Sequence, residues 1–317
     1  AYLVNNNYED TRFGAYAKHL SQKGSLIGQQ FSQQEISAFG RQLYDAFTVS
    51  GDLGYKRYGT RFYGAMADAG PGLNPDPELK QAFNDVFLNA ELTSNKREGD
   101  DEALSYSLRT KGYLYSDAFE AKENSFLLSG YLEKQRQAFR FGAHVSADFT
   151  NVVQKSSKLG NHLANINPYI RFKGQNYNLT VGVNLVSEFG DSTRTNVFPN
   201  VSLDFSLIPD YADLYATVDG GVIKTSFKEL TRENPWLMPD ITIANTVERL
   251  RISAGIKGNA GAMFGYKAGI SYRKLENMPL FQNYLFNTYQ FDVVYDGQDK
   301  AVSVFGIEGE INLRISE

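Results

Sequence analysis

The sequence contains no cysteine, which excludes a disulfide framework and any thiolate metal site. It has a single tryptophan and three histidines in 317 residues. No run approaches the roughly 18 consecutive apolar residues that a spanning helix needs. Neither charge sign dominates: 32 basic residues stand against 36 acidic ones, for a formal net charge of −4. That balance supplies no basic field, so nucleic acid is not an expected partner. What the chain does have is 20 tyrosines and 22 phenylalanines at a mean hydropathy of −0.38. Aromatic-rich yet hydrophilic on average is the composition of strands with one face in lipid and the other in water.

The pattern agrees. Phe139, Phe141, Ala143, Val145, Ala147 and Phe149 alternate with Arg140, Gly142, His144, Ser146 and Asp148, a period of two that sends the sets to opposite faces of a strand. Tyr177 to Leu185, Val201 to Leu207, Leu250 to Lys257 and Phe264 to Arg273 repeat it. Weaker versions near 10–20, 38–44, 47–64, 82–93, 103–117, 124–134, 163–173, 211–225, 285–296 and 301–316 bring the expected total to about 14–16 strands. No convincing amphipathic helix is found, and 78–92 reads as a strand. Many strands run about 10 to 14 residues, suited to a tilted crossing of a ~25 Å apolar band. Gly174-Gln175-Asn176, Pro209-Asp210 and Gly258 to Gly261 read as tight turns, whereas 22–37, 65–81, 226–247 and 274–284 read as long loops. Short links at one end and long loops at the other suit a membrane barrel better than a soluble sandwich. The fold class expected is therefore all-β, an antiparallel transmembrane β-barrel formed as one domain over 1–317.

On that fold the polar phase is the lumen wall, and the expected lining is Arg140, His144, Asp148, Arg171, Asp204, Arg251, Lys267, Arg273 and Asp292. Inward Tyr113, Tyr115, Tyr131, Tyr169 and Tyr215 would fill the lumen, while inward Gly142, Gly182 and Gly255 would open it. The stretch Asn234-Pro235-Trp236-Leu237-Met238-Pro239 is apolar for a loop. Interface anchoring is the default for a lone tryptophan in a barrel, with an inward constriction or a partner contact at Asn234, Trp236 and Leu237 as the alternatives. Ser146, His144 and Asp148 share a face but sit ~6.5–7 Å apart along a strand, too far for a catalytic triad. His19, His144 and His162 lie on different strands without metal-ligand spacing. Glycines 255, 258, 261, 265 and 269 precede no helix and so hold no phosphate. The carboxylates Asp210, Asp213 and Asp219 read as solvated groups. Neither an enzyme nor a cofactor is expected.

Five short segments also carry a resemblance: His19-Leu20-Ser21-Gln22-Lys23-Gly24, Ser50-Gly51-Asp52-Leu53-Gly54-Tyr55, Asn167-Pro168-Tyr169-Ile170-Arg171-Phe172, Glu233-Asn234-Pro235-Trp236-Leu237 and Val293-Val294-Tyr295-Asp296. In this order they resemble the barrel region of a Bacteroidota outer-membrane family, TonB-dependent receptor-like. The resemblance implies a location in the bacterial outer membrane and a monomeric barrel, and it supplies no ligand residues. Neither the globular plug nor the energy-coupling box of such receptors is recognisable in the sequence. Tyr2-Leu3-Val4 and Ile311 to Ile315 read as strand fragments, so the chain is expected to be part of a longer barrel. Two functions follow as expectations: a porin-like channel or transporter for small polar solutes, or a non-conducting accessory barrel within a larger outer-membrane complex. The expected partners are the lipid bilayer and, for the second function, other outer-membrane proteins or lipoproteins.

Overall fold

The computed structural model describes residues 2–5, 9–25, 28–62, 79–95, 103–191, 193–209, 211–261, 263–284, 287–297 and 300–314. The strands, in chain order, are β1 Tyr2–Asn5, β2 Thr11–Lys23, β3 Gln30–Leu43, β4 Phe47–Arg61, β5 Lys80–Ser94, β6 Ser105–Ser116, β7 Lys122–Arg136, β8 Phe139–Val153, β9 Lys158–Lys173, β10 Tyr177–Gly190, β11 Arg194–Ile208 and β12 Ala212–Ile223. A short helix, α1 (Phe227–Glu233), follows. Then come β13 Thr246–Ala260, β14 Phe264–Glu276, β15 Met278–Tyr284, β16 Asn287–Asp296 and β17 Val302–Leu313. Fifteen strands form one antiparallel sheet in sequence order, with β14 pairing to β17, while β15 and β16 make a separate two-stranded hairpin.

Each strand joins its successor by an up-and-down connection, so the side-chain phase set by one strand is inherited by the next. Val145 lies opposite Gly130 on β7 and Ile166 on β9, and Ile166 lies opposite Leu185 on β10. This phase carries Leu53, Leu88, Leu114, Phe126, Val145, Ile166, Val181, Ile270 and Ile307, all exposed. In water so extensive an apolar surface would drive association. In a bilayer it is the lipid-facing band of a barrel wall; among the described residues the sheet is open, with β1 and β17 as its two edges. The opposite phase is polar, and the docked segments described below lie on it, which makes it the inner face.

The links sort only in part. Those after β7, β9, β11 and β13 are short, the last beginning at Gly261 rather than Gly258, and those after β12 and β14, at the other end, are long, but that end also carries the short links after β6, β8 and β10. The loop expected at 65–81 lies almost wholly outside the described residues. Three sequence expectations are corrected. Most of 22–37 is not loop, because β3 begins at Gln30 and pairs along its whole length with β2 and β4. Near its start the strand is polar on both faces, so alternation gives no sign of it. The second correction is α1, inside the segment read as loop. The third concerns 274–296: its strand-like second half pairs with 278–284 rather than with the barrel, so Asp292 is not on the barrel wall.

Small inward residues do not open the interior as expected. A Cβ built on Gly142 would clash with the Tyr169 ring and hydroxyl, and one on Gly255 would meet the Tyr215 hydroxyl at 2.5 Å. Gly182 is crowded by Tyr169 Cβ at 2.9 Å, Gly54 by Phe87 and Gly14 by Phe39. Gly142, Gly255, Gly54 and Gly14 are each the seat on which an aromatic ring from a neighbouring strand lies, which restores side-chain packing that glycine alone cannot give.

Candidate functional site

Of the expected lining residues, Arg140, His144, Asp148, Arg171, Asp204, Arg251, Lys267 and Arg273 all stand on the inner face, and most are engaged with one another's strands. Glu133 gathers Arg140 at 3.7 Å, Arg171 at 3.4 Å and the Tyr169 hydroxyl at 2.8 Å. His144 lies between the rings of Tyr131 and Tyr169, at 5.5 and 5.4 Å. Arg251 makes a two-pronged bond to Asp219, both contacts 2.8 Å, and Arg273 pairs with Glu248. Lys257–Asp204 at 3.0 Å and Lys267–Glu308 at 2.9 Å continue the ladder towards β17. Asp148 pairs with Lys224 rather than with a histidine, and the Nδ1 of His162 accepts from the Thr150 amide at 3.1 Å. Neither a triad nor, among the described residues, a metal-binding cluster of histidines and carboxylates is assembled.

The more informative feature is a cap made of two segments far apart in sequence, 224–245 and the β15–β16 hairpin. Its first segment opens with Ser226-Phe227-Lys228-Glu229, a serine followed three residues on by glutamate, which is a helix-start signal. Ser226 Oγ accepts the Glu229 amide at 3.1 Å and begins α1. One end of the helix points at the wall: Glu123 on β7, fully buried, accepts the Phe227 amide at 2.6 Å and the Tyr113 hydroxyl at 2.6 Å. An anion at a helix N-terminus is favourably placed. Leu237 forms a parallel bridge with Phe291 on β16, and the Tyr295 hydroxyl donates to Thr242 O at 3.1 Å while accepting the Ala244 amide at 2.9 Å.

Apolar side chains from cap and wall share one cluster. Phe227, Leu230, Leu237, Ile241, Ile243 and Val293 pack with Phe83, Tyr115, Ala121 and Val152. Polar bonds fix the cap's edges to the wall. The Tyr115 hydroxyl and Thr231 Oγ1 are 2.8 Å apart, Asn161 donates to Thr225 O at 3.0 Å, Gln154 donates to Ile241 O at 2.8 Å, and Asn245 donates to Glu188 at 2.9 Å. Burial pushes the Lys224 ammonium below its ordinary value, and Asp148 opposes that shift. In the β6–β7 turn burial raises the Asp117 carboxyl, against the pull of the Phe119 and Ala121 amides.

The loop at Asn234 to Leu237 is therefore not an interface anchor. Asn234 and Leu237 are buried, and the Trp236 indole N–H donates to the backbone oxygen of Arg61, the last residue of β4, at 3.1 Å. Beside the cap is a cavity of about 910 Å³, whose lining includes Asp52, Lys56, Phe87, Lys111, Tyr113 and Trp236. Glu123, Lys224, Lys228 and Asp85 were missing from the sequence expectation. The Ser226/Glu229 spacing was the one available signal, and it names the helix start without saying where the helix docks.

No protein-family model and no curated protein sequence matches the chain. Solved structures do. The siderophore receptor PirA from Pseudomonas aeruginosa is similar over 97% of this chain and 58% of its own, at TM-score 0.63 and 13% identity. The FrpB iron transporter from Neisseria meningitidis matches 98% of this chain and 56% of its own, at TM-score 0.71 and 8% identity. For the pyoverdine outer membrane receptor FpvA from P. aeruginosa, the figures are 100%, 56%, 0.63 and 14%.

The fold is an outer-membrane, TonB-dependent receptor-like β-barrel. At these identities the likeness is one of fold, and it comes from Pseudomonas and Neisseria proteins, so it carries no Bacteroidota assignment. Together with the exposed apolar band, the fold places the chain in the bacterial outer membrane. The chain spans little more than half the length of these structural neighbours.

Proposed function

We propose that this chain is the wall and mouth of a gated outer-membrane transporter for a polar solute, with Arg140, His144, Asp148, Arg171, Asp204, Arg251, Lys267 and Arg273 lining its path. The observation that carries this reading is the cap on the inner face, at the end where the long connections lie. A diffusion pore needs an unobstructed lumen, whereas 224–245 is bonded to strands from β4 to β10 and leaves a cavity beside it. Structural neighbours that are siderophore receptors and iron transporters support uptake of a bulky solute over free diffusion of small ones. Asn234, Trp236 and Leu237 are then constriction residues.

The test is conductance of the refolded protein in planar bilayers, beside a variant in which 226–244 is replaced by a short Gly-Ser link. The expected result is a closed or flickering wild type and a steadily conducting variant. A wild type with large, steady conductance would overturn gating in favour of a porin. Silence from both, with insertion verified, would favour the non-conducting accessory barrel, a reading that the aromatic rings filling the inner face also support.

A further inference from the structure

Lys228, on the wall-facing side of α1, ends in a site made by the barrel rather than by the cap. Its ammonium is 2.9 Å from the Asp85 carboxylate of β5 and 3.8 Å from the centroid of Tyr113 on β6, with Tyr115 at 5.9 Å. The carboxylate and the ammonium are both largely shielded, at 13% and 15% side-chain exposure. Next to the site Tyr58, Phe83 and Tyr115 stack along the wall, with centroids 6.3 and 5.8 Å apart and interplanar angles of 15° and 9°. A carboxylate with aromatic faces around it is the chemistry that holds an alkylammonium, through one charged hydrogen bond and the ring quadrupoles.

The cation opposite Asp85 in the β4–β5 ladder, Lys56, is committed elsewhere: it bonds to Glu35 at 3.0 Å and sits over the Phe87 ring at 4.9 Å. Asp85, Tyr113 and Tyr115 also line the cavity beside the cap, so a solute there borders the site that Lys228 fills.

We infer that Asp85, Tyr113 and Tyr115 form an ammonium socket on the barrel wall, occupied in this state by Lys228, and that a solute bearing an alkylammonium group competes for it. A half-buried carboxylate left without a cation is costly, so the socket takes either the tethered lysine or a free cation. Occupation by a solute removes one of the bonds that hold α1 to the wall and so favours release of the cap. The socket itself stands independently of the transport reading, and only this coupling to the cap rests on it.

The lysine side chain is in effect a tethered n-butylammonium, which supplies the probe. Binding of n-butylammonium chloride to the refolded protein is followed by ligand-observed NMR, against sodium chloride at equal ionic strength. The proteins compared are the wild type, Lys228→Ala and Lys228→Ala/Asp85→Asn, each checked for folding by heat-modifiable gel mobility. Lys228→Ala should bind about ten-fold tighter than either of the others, because only it presents an empty, charged socket. Saturating probe should instead raise iodide quenching of Trp236 in the wild type, because the solute displaces the Lys228 bond that holds α1 to the wall.

Equal affinity in all three proteins would overturn the proposal, and so would tight binding that survives Asp85→Asn. Should Lys228→Ala not fold, Lys228→Met keeps the aliphatic stem and carries the same comparison. The readout is equilibrium binding, so its failure leaves the transport reading standing, and an open pore in bilayers leaves the socket testable.

Discussion

The wall and the cap are built on different principles. In the wall, away from the edge strands β1 and β17, most residues have two ladder neighbours and a face assigned by parity, so its stability is local and repetitive. Lipid takes one phase, and ion pairs and ring-on-glycine seats take the other. The cap has a seven-residue helix, too short to hold itself together, and it is ordered by contacts between segments more than forty residues apart in sequence. A barrel can thus carry a docked element whose stability is separate from its own, and damage to one need not reach the other.

That separation can be broken most strongly from the lipid side. Val145→Arg, near the middle of β8, should cost about 2–4 kcal/mol of barrel stability, whereas Ser146→Lys, one residue on and facing inward, should be near neutral. Urea titration of folded protein in liposomes checks both. Equal losses would contradict the face assignment.

From the cap side, Glu123→Ala should cost about 2–3 kcal/mol, because it leaves the Phe227 amide and the Tyr113 hydroxyl without their buried acceptor. The loss should be confined to the cap: limited proteolysis should cut within 224–245 while heat-modifiable mobility of the barrel is retained. Smaller is the effect of Gly142→Ala, about 1–2 kcal/mol, through displacement of Tyr169 from its seat. Adding Tyr169→Ala to that variant should cost less than the sum of the two single changes. Smallest is Lys257→Gln. Its pair with Asp204 is roughly half exposed at both ends, so stability should change by less than about 0.5 kcal/mol. A larger change in urea midpoint would mean that the inner ladder is more desolvated than its exposure indicates.

On the wall the strand phases are legible in the sequence where the two sets are chemically distinct. Phe141, Val145 and Phe149 face outward, and Arg140, His144 and Asp148 face inward, as parity requires. The sequence reading failed at residues 30–37, where Phe31, Glu35 and Ser37 alternate with Ser32, Gln34 and Ile36 without a clear apolar set. It failed again at Asp292, because β16 has the alternation of a wall strand and only its choice of partner distinguishes it. Gly142 and Gly255 were misread for a related reason: a glycine next to polar neighbours looks like space until the ring on the adjacent strand is known.

By itself the sequence determined an antiparallel barrel with its lipid phase and water phase, since period-two alternation is a local property enforced by the pleat. Only the tertiary structure decided that 224–245 turns inward, that Glu123 receives the start of α1, and that Lys228 rests against Asp85 and Tyr113. Those contacts join residues that are remote in the chain, and no local pattern encodes which of many polar side chains a buried amide or ammonium will meet.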